Sequence, residues 1–282
     1  MKVIMIKTVE NILKEANIEE YKAEAKLIVL ELSGLNLEEI LSGKKIENKE
    51  EIIELAKKRA QTRMPIQHLL GFSYFMGEKY IVNKDVLIPR DETEILVLKA
   101  LELIKNKNEK IDILDIGVGS GCISCSLAKN LKNKDIEILG VDISLDAIKT
   151  ALENVDKLAL VRKVILRKSD IFSKIRDCER FDLIISNPPY IPIKEKNNLQ
   201  KEVREFDPEL ALFASDDDGI EFYRKIINKA PEFLKKDGYL AFELGIGQSE
   251  KVKELLEENF ENIEIAKDLA GIDRVICAKL KA

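Results

Sequence analysis

Asn187-Pro188-Pro189-Tyr190 is the stretch of this chain whose residue types suggest chemistry most directly. It follows residues 181–186, an apolar run with the composition of a buried strand. Two consecutive prolines cannot extend a β ladder and restrict the backbone before them, so the tetrapeptide reads as a stiff loop at a strand end. A reaction governed by positioning needs such a loop. The chemistry it suits is that of an amide or amino NH2, which is planar, offers two hydrogens and has a delocalised, weakly nucleophilic lone pair. The Asn187 side-chain oxygen and the Pro188 carbonyl can accept both hydrogens while the Tyr190 ring packs on the planar group. A nitrogen held this way is aimed at an electrophile, and the positive charge it develops is stabilised. No strong general base is required, because the nitrogen becomes acidic as the new bond forms. Taken alone, the same four residues are also an ordinary strand-ending turn.

A second element changes that balance. Residues 111–116 form an apolar strand pattern that runs into Gly117-Val118-Gly119-Ser120-Gly121 and then a helix. Glycines there let the backbone turn tightly and approach a ligand that a Cβ would repel. One strand later, Ile138-Leu139-Gly140-Val141-Asp142 ends in an acid, and a carboxylate at that place can accept hydrogen bonds from both hydroxyls of a ribose. A dinucleotide fingerprint would put its third glycine three residues after the second. Here the glycines alternate, with Asp115 just upstream, and the arrangement resembles the first motif of class I methyltransferases. Their cofactor, S-adenosyl-L-methionine, has no pyrophosphate to cradle.

Two regions of different periodicity must carry these loops. From about Thr8 to Arg63 apolar residues recur at helical spacing, as at Val9, Ile12, Leu13 and Ala16. Breaks fall at Ser33-Gly34 and Ser42-Gly43, and Asn48 stands as an N-cap before the last helix. The expectation is a small helical bundle over residues 1–70. Residues 72–75 and 80–82 are aromatic and β-branched around Met76-Gly77, which predicts a hairpin linking the regions over 71–90. Strand patterns then fall at 111–116, 136–141, 163–167, 181–186, 239–243 and 274–279, with helices such as 145–157 and 220–234 between them. That alternation predicts an α/β domain over 91–282, with a mostly parallel sheet covered on both faces and its ligand at the carboxyl ends of the strands.

Composition narrows the function classes. Hydrophobic residues make up 45% of 282, an ordinary globular share, and no apolar run approaches the length of a membrane span. The stretch from Met1 to Glu10 is not followed by a small-residue cleavage site, so no signal peptide is expected. Four cysteines are too few for a disulfide framework and point to a reducing, cytoplasmic setting. The net charge of −5 lacks the basic surplus of a protein that grips duplex DNA.

Three features invite sharper readings that the sequence does not support. Cys122 and Cys125 form a CxxC without two further ligands for zinc, so they read as small residues packing a helix on the sheet. His68, the single histidine, reads as structural. Asp216-Asp217-Asp218 reads as a cap for the following helix rather than a cation site. No metal is expected.

The separated motifs, in their order, resemble those of the release factor glutamine methyltransferases, the PrmC/HemK family. They are Pro65-Ile66-Gln67-His68-Leu69-Leu70-Gly71, Leu87-Ile88-Pro89-Arg90 with Thr93-Glu94, the glycine loop, Asn187-Pro188-Pro189-Tyr190-Ile191, Ala211-Leu212 before Asp218-Gly219, and Glu243, Gly245 and Gln248. Lys267-Asp268-Leu269-Ala270-Gly271 with Asp273-Arg274-Val275 completes the series. The resemblance implies a helical substrate-recognition domain, a hairpin linker and a Rossmann-like class I methyltransferase domain with a seven-stranded sheet. It implies that Gly117 to Gly121 and Asp142 hold the cofactor, that Ile171 lies against its adenine, and that Asn187 to Tyr190 hold a glutamine. The substrate so implied is the glutamine of the Gly-Gly-Gln loop in class I peptide chain release factors. The chain departs from the family at Asp91, where proline is usual, at Asp207, where glutamate is usual, at His68, where tyrosine is frequent, and at Ile171, where an aromatic is frequent. Two other functions meet the same residues: a DNA adenine methyltransferase, whose target NH2 offers the same donors, and a non-catalytic S-adenosylmethionine-binding module.

Overall fold

A computed structural model describes residues 4–282; the first three residues, part of the stretch screened for a leader, lie outside it. The chain divides into two compact units. One runs to Gly71 and also includes Lys201–Phe206, and the other comprises Phe72–Gln200 and Asp207–Ala282.

The first unit is helical. α1 (Ile4–Glu15) buries Ile6, Val9 and Leu13, and α2 (Tyr21–Ser33) buries Ala25, Ile28 and Val29, each set on one face at helical spacing. α3 (Leu37–Ser42) starts from a capping box in which the Asn36 carboxamide accepts from the Glu39 amide and Glu39 accepts from the Asn36 amide. α4 (Lys49–Thr62) and the short α5 (Ile66–Leu70, containing His68) close the unit. Asn48 does not cap α4. Its side-chain NH2 donates to the Leu32 carbonyl at 2.7 Å, so the carboxamide ties the start of α4 to the end of α2.

Buried Arg59 on α4 grips both carboxylate oxygens of Glu24, at 2.8 and 2.9 Å. It also stands 3.4 Å from Glu202, which Arg63 meets at 2.7 Å. These contacts explain why Lys201–Phe206, distant in sequence, belongs here. The methyltransferase region expected as continuous over 91–282 is therefore interrupted.

In the second unit, β1 (Phe72–Phe75) and β2 (Glu78–Ile81) form an antiparallel hairpin whose turn residues Met76 and Gly77 both have positive φ, 50° and 75°. The hairpin is built into this unit rather than serving as a separate linker. The Met76 amide donates to Glu94 on α6 (Asp91–Ile104) at 2.6 Å. The amide and carbonyl of Ile81 bond the Asn154 carboxamide on α8 (Leu145–Lys157), at 2.7 and 3.0 Å.

The sheet has seven strands. In chain order they are β3 (Ile111–Ile116), β4 (Ile136–Asp142), β5 (Val164–Lys168), β6 (Phe181–Ser186), β9 (Leu234–Glu243), β10 (Phe260–Lys267) and β11 (Asp273–Leu280). The spatial order is β10-β11-β9-β6-β3-β4-β5, and β11 runs antiparallel to both its neighbours. β6 is buried along its full length. α6 and α7 (Cys122–Asn130) contribute to the apolar cluster on one face, while α11 (Glu221–Lys229) and α12 (Ser249–Leu256) contribute to the other. Two-residue strands β7 (Ile191–Pro192) and β8 (Phe213–Ala214) pair outside the sheet, with α9 (Lys201–Phe206) and α10 (Glu209–Leu212) between them in sequence.

The helix expected over 220–234 is shorter. α11 ends at Lys229, a 3₁₀ turn containing Pro231 follows, and Leu234 already begins β9. Asp216, Asp217 and Asp218 do not cap α11, because Gly219, at φ 72°, turns the chain between them and the helix. Their carboxylates face cations instead: Arg224 at 3.7 Å, Lys194 at 3.9 Å and Lys251 at 3.0 Å. Among the described residues no helix is long and apolar enough to cross a membrane.

Candidate active site

β3 and β6 are parallel neighbours, and β3 leads through α7 to β4 on its other side, so the chain reverses direction across the sheet between β3 and β6. Crevices at such a reversal are where open α/β sheets hold ligands. Ile116 and Ser186 are paired at the strand ends, which makes Gly117 and Asn187 neighbours at one edge. A Cβ added at Gly117 would stand 3.9 Å from the Asn187 carbonyl oxygen. The Ser186 hydroxyl donates to the Ile116 carbonyl at 2.7 Å and locks the strand ends together.

Around this point lies a cavity wholly within the second unit. Gly117, Val118, Gly119 and Ser120 line it, with Asp142, Ile171, Asn187, Pro188 and Pro189. Gly121 and Tyr190 do not. A Cβ at Gly121 would come within 3.3 Å of Ala151 on α8, so that glycine serves close helix packing. The Tyr190 ring packs against the apolar cluster on one sheet face, and its hydroxyl lies 3.4 Å from a Glu243 carboxylate oxygen. Its ring is half-buried against that cluster and is not among the residues that line the cavity.

The wall is set by backbone hydrogen bonds. The Gly117 and Val118 amides both donate to the Val141 carbonyl, at 2.8 and 2.9 Å, which draws the glycine loop over the end of β4. One Asp142 oxygen accepts from the Gly119 amide at 3.0 Å and the other from the Ser144 amide at 2.9 Å. Burial pushes the Asp142 carboxyl above its usual range against the pull of these amides. Ile171 has φ 47°, an unusual conformation for a β-branched residue, and its carbonyl accepts the Ser169 hydroxyl at 2.9 Å.

Several residues here were given no site role from the sequence, although Arg90, Thr93 and Glu243 stand in the motifs that carry the family resemblance. Thr93, in the first turn of α6, lines the cavity and is buried. Its hydroxyl donates to Glu243 at 2.5 Å and receives the Asn187 side-chain NH2 at 3.3 Å. Burial above all pushes the Glu243 carboxyl up to about 7. The signal for this pair was an acid ending an apolar strand and a hydroxyl in a helical first turn, and neither announces its partner. Asn154 also donates to the Ser120 carbonyl at 2.8 Å, so one buried amide joins the glycine loop to the hairpin. Arg90 lines the cavity and donates to buried Asp207 at 2.6 Å. Cys122 and Cys125 are buried and unoxidised, and burial pushes the Cys122 thiol up to about 12, far from a reactive thiolate.

The chain matches the family model of a methyltransferase domain over residues 107–277 and that of the PrmC N-terminal domain over residues 5–71. A release factor glutamine methyltransferase of Fusobacterium nucleatum is 42% identical over 236 residues, covering 83% of this chain and 65% of that protein. A protein of the same name from Clostridium botulinum is 39% identical over 274 residues, covering 95% of each chain. Among solved structures, the hMettl16 catalytic domain in complex with MAT2A 3′UTR hairpin 6 superposes with a TM-score of 0.58 at 18% identity. It covers 81% of this chain and 83% of that one, a likeness of fold. With the two domain matches and relatives at this identity across nearly its whole length, the chain belongs to the release factor glutamine methyltransferase family.

Proposed function

We propose that the chain transfers a methyl group from S-adenosyl-L-methionine to the side-chain amide nitrogen of the glutamine in the Gly-Gly-Gln loop of class I peptide chain release factors. The observation that carries this reading is the meeting of the glycine loop and Asn187-Pro188-Pro189 on one cavity at the reversal of strand order. The cavity suits the cofactor. Each Asp142 oxygen is held by one backbone amide and keeps a lone pair for a ribose hydroxyl. Glycine backbone and the Ile171 side chain supply wall close to a nucleoside. When bound, S-adenosylmethionine supplies an electrophilic methyl on a sulfonium sulfur.

Asn187 and Pro188 do the rest by position. The Asn187 side-chain oxygen and the Pro188 carbonyl accept the two amide hydrogens of the substrate and aim its nitrogen at the methyl. As that nitrogen accepts the methyl group, these oxygens would stabilise the positive charge that grows on it. The nitrogen then yields a proton to water.

The helical unit, matched by the PrmC N-terminal domain model, is assigned to recognising the release factor body. The same match favours a release factor over DNA adenine as the substrate, and translation factors place the reaction in the cytoplasm. The test is transfer of labelled methyl to a purified release factor and to duplex DNA, followed by mapping of the modified residue. Asn187→Ala is expected to lower turnover about a hundred- to a thousand-fold while leaving cofactor affinity nearly unchanged. Label on DNA alone, or an Asn187→Ala enzyme at the wild-type rate, would overturn the reading.

A further inference from the structure

Resting on that reading, the hydrogen bonds behind Asn187 carry a further step. β6 and β9 are parallel with Ser186 opposite Phe242, so Asn187, just past β6, is level with Glu243, the last residue of β9. Thr93, from the first turn of α6, stands between them. A carboxamide has a donor end and an acceptor end of nearly equal shape, and the chemistry proposed above needs the acceptor end in the cavity. We propose that Thr93 and Glu243 are positioning residues that fix which end of the Asn187 carboxamide faces the substrate nitrogen.

The logic follows from counting protons. Ionised Glu243 can only accept: one oxygen accepts the hydrogen bond that the Thr93 hydroxyl donates, at 2.5 Å, and the other faces the Tyr190 hydroxyl, at 3.4 Å. Thr93 has a single proton, and that proton is committed to Glu243. Only a lone pair is left toward Asn187, and only the NH2 end of the carboxamide can meet it, as it does at 3.3 Å. The Asn187 oxygen is thereby excluded from Thr93. A protonated Glu243 reverses the chain of donors. Its O–H donates a hydrogen bond to the Thr93 oxygen, Thr93 turns its own O–H toward Asn187, and the carboxamide flips to present NH2 to an NH2 substrate.

The groups around Glu243 come from five elements. They are Thr93 and Glu92 on α6, Cys122 on α7, Tyr190 after β6, Tyr223 on α11, and Arg274 on β11. The Tyr223 hydroxyl donates to the Glu243 backbone carbonyl at 2.8 Å, and Arg274 lies 3.6 Å from Glu92. Arg274 is the one cation of the set and favours the ionised form, while burial and Glu92 oppose it.

The experiment measures kcat, KM for a release factor, and cofactor affinity by calorimetry. Thr93→Val is expected to lower kcat about ten- to a hundred-fold with cofactor affinity kept, and Thr93→Ser to restore most of it. In an Asn187→Ala background, Thr93→Val is expected to cost nothing further, whereas a mere packing defect would cost the same in both backgrounds. Glu243→Gln, whose NH2 mimics the protonated acid, is expected to be slow at every pH and to lose the wild-type decline in kcat on acidification. That last measurement decides the matter if Thr93→Val does not fold. Thr93→Val at the wild-type kcat, equal cost in both backgrounds, or an unchanged acid limb in Glu243→Gln would overturn the assignment. An inactive Asn187→Ala beside a fully active Thr93→Val would sink the relay and leave the methyl-transfer reading standing. Should Asn187→Ala be fully active, both fail together.

Discussion

Asp142 shows how one side chain serves loop and ligand together. Its carboxylate already accepts two backbone amides, so it shapes the glycine loop before any ribose arrives. Replacement by alanine is expected to weaken S-adenosylmethionine about ten- to a hundred-fold, as loss of charge-assisted hydrogen bonds does, with the fold retained. Calorimetric titration checks this, and unchanged affinity would remove Asp142 from the cofactor site. The glycine loop, Asp142 and Asn187-Pro188-Pro189 stood out at this scale, because glycine spacing, a strand-terminal acid and a double proline are local signals. The pairing of Thr93 with Glu243 did not, although both stand in the quoted motifs, because it is a hydrogen bond across 150 positions of sequence. The packing of Tyr190 was hidden for a related reason. A tyrosine after two prolines has nothing in its own neighbourhood to say that its ring faces the core.

At the scale of elements, the loops after β6 and β9 and before α11 are knitted by Gln248. Its NH2 donates to the carbonyls of Tyr190 and Asp218, at 2.9 and 3.0 Å, and its oxygen accepts from the Gly245 amide at 3.1 Å. Gly219 sits against this knot: a Cβ there would fall 2.1 Å from the Tyr190 carbonyl oxygen. Gly219→Ala is therefore expected to destabilise by more than about 1 kcal/mol and to lower kcat by shifting the backbone of the Asn187 loop. Gly247 has a similar φ, 78°, with nothing near its missing Cβ, and Gly247→Ala is expected to cost only backbone strain. Thermal unfolding and turnover of the two variants check the contrast; equal effects would deny Gly219 its special role. β10 escaped the sequence reading altogether. Its residues are largely exposed at a sheet edge, and Glu261, Glu264 and Lys267 break the apolar pattern that marks a buried strand.

Across the whole molecule, buried carboxyls set the response to pH. Burial holds Asp115 at about 7, Glu243 at about 7 and Asp207 at about 6, all raised from the ordinary range. A raised carboxyl keeps its proton in the folded chain at a pH where the unfolded chain has released it. Stability without cofactor is thus expected to fall as pH rises from about 5 to about 8. Asp115→Asn should flatten that slope, by on the order of 3 kcal/mol across the range. Denaturant midpoints at both ends check the sign, and a rise toward alkaline pH would refute it. The ion pairs that lower other carboxyls, such as Glu221 at about 2, matter only in stronger acid.

The helix Lys201–Phe206 has one more consequence. Because it belongs with the N-terminal helices while the chain on either side of it belongs to the second unit, the backbone passes between the two units three times. They are not interchangeable modules on a string. A chimera that took its first 71 residues from a relative would inherit foreign partners for Glu202, whose hold on Arg59 and Arg63 is ionic and largely shielded from water. Leaving one such charge without its partner costs several kcal/mol. Successful recombination among relatives should accordingly require a matched graft at two places in the gene, the front and a short cassette in the middle, rather than a single crossover.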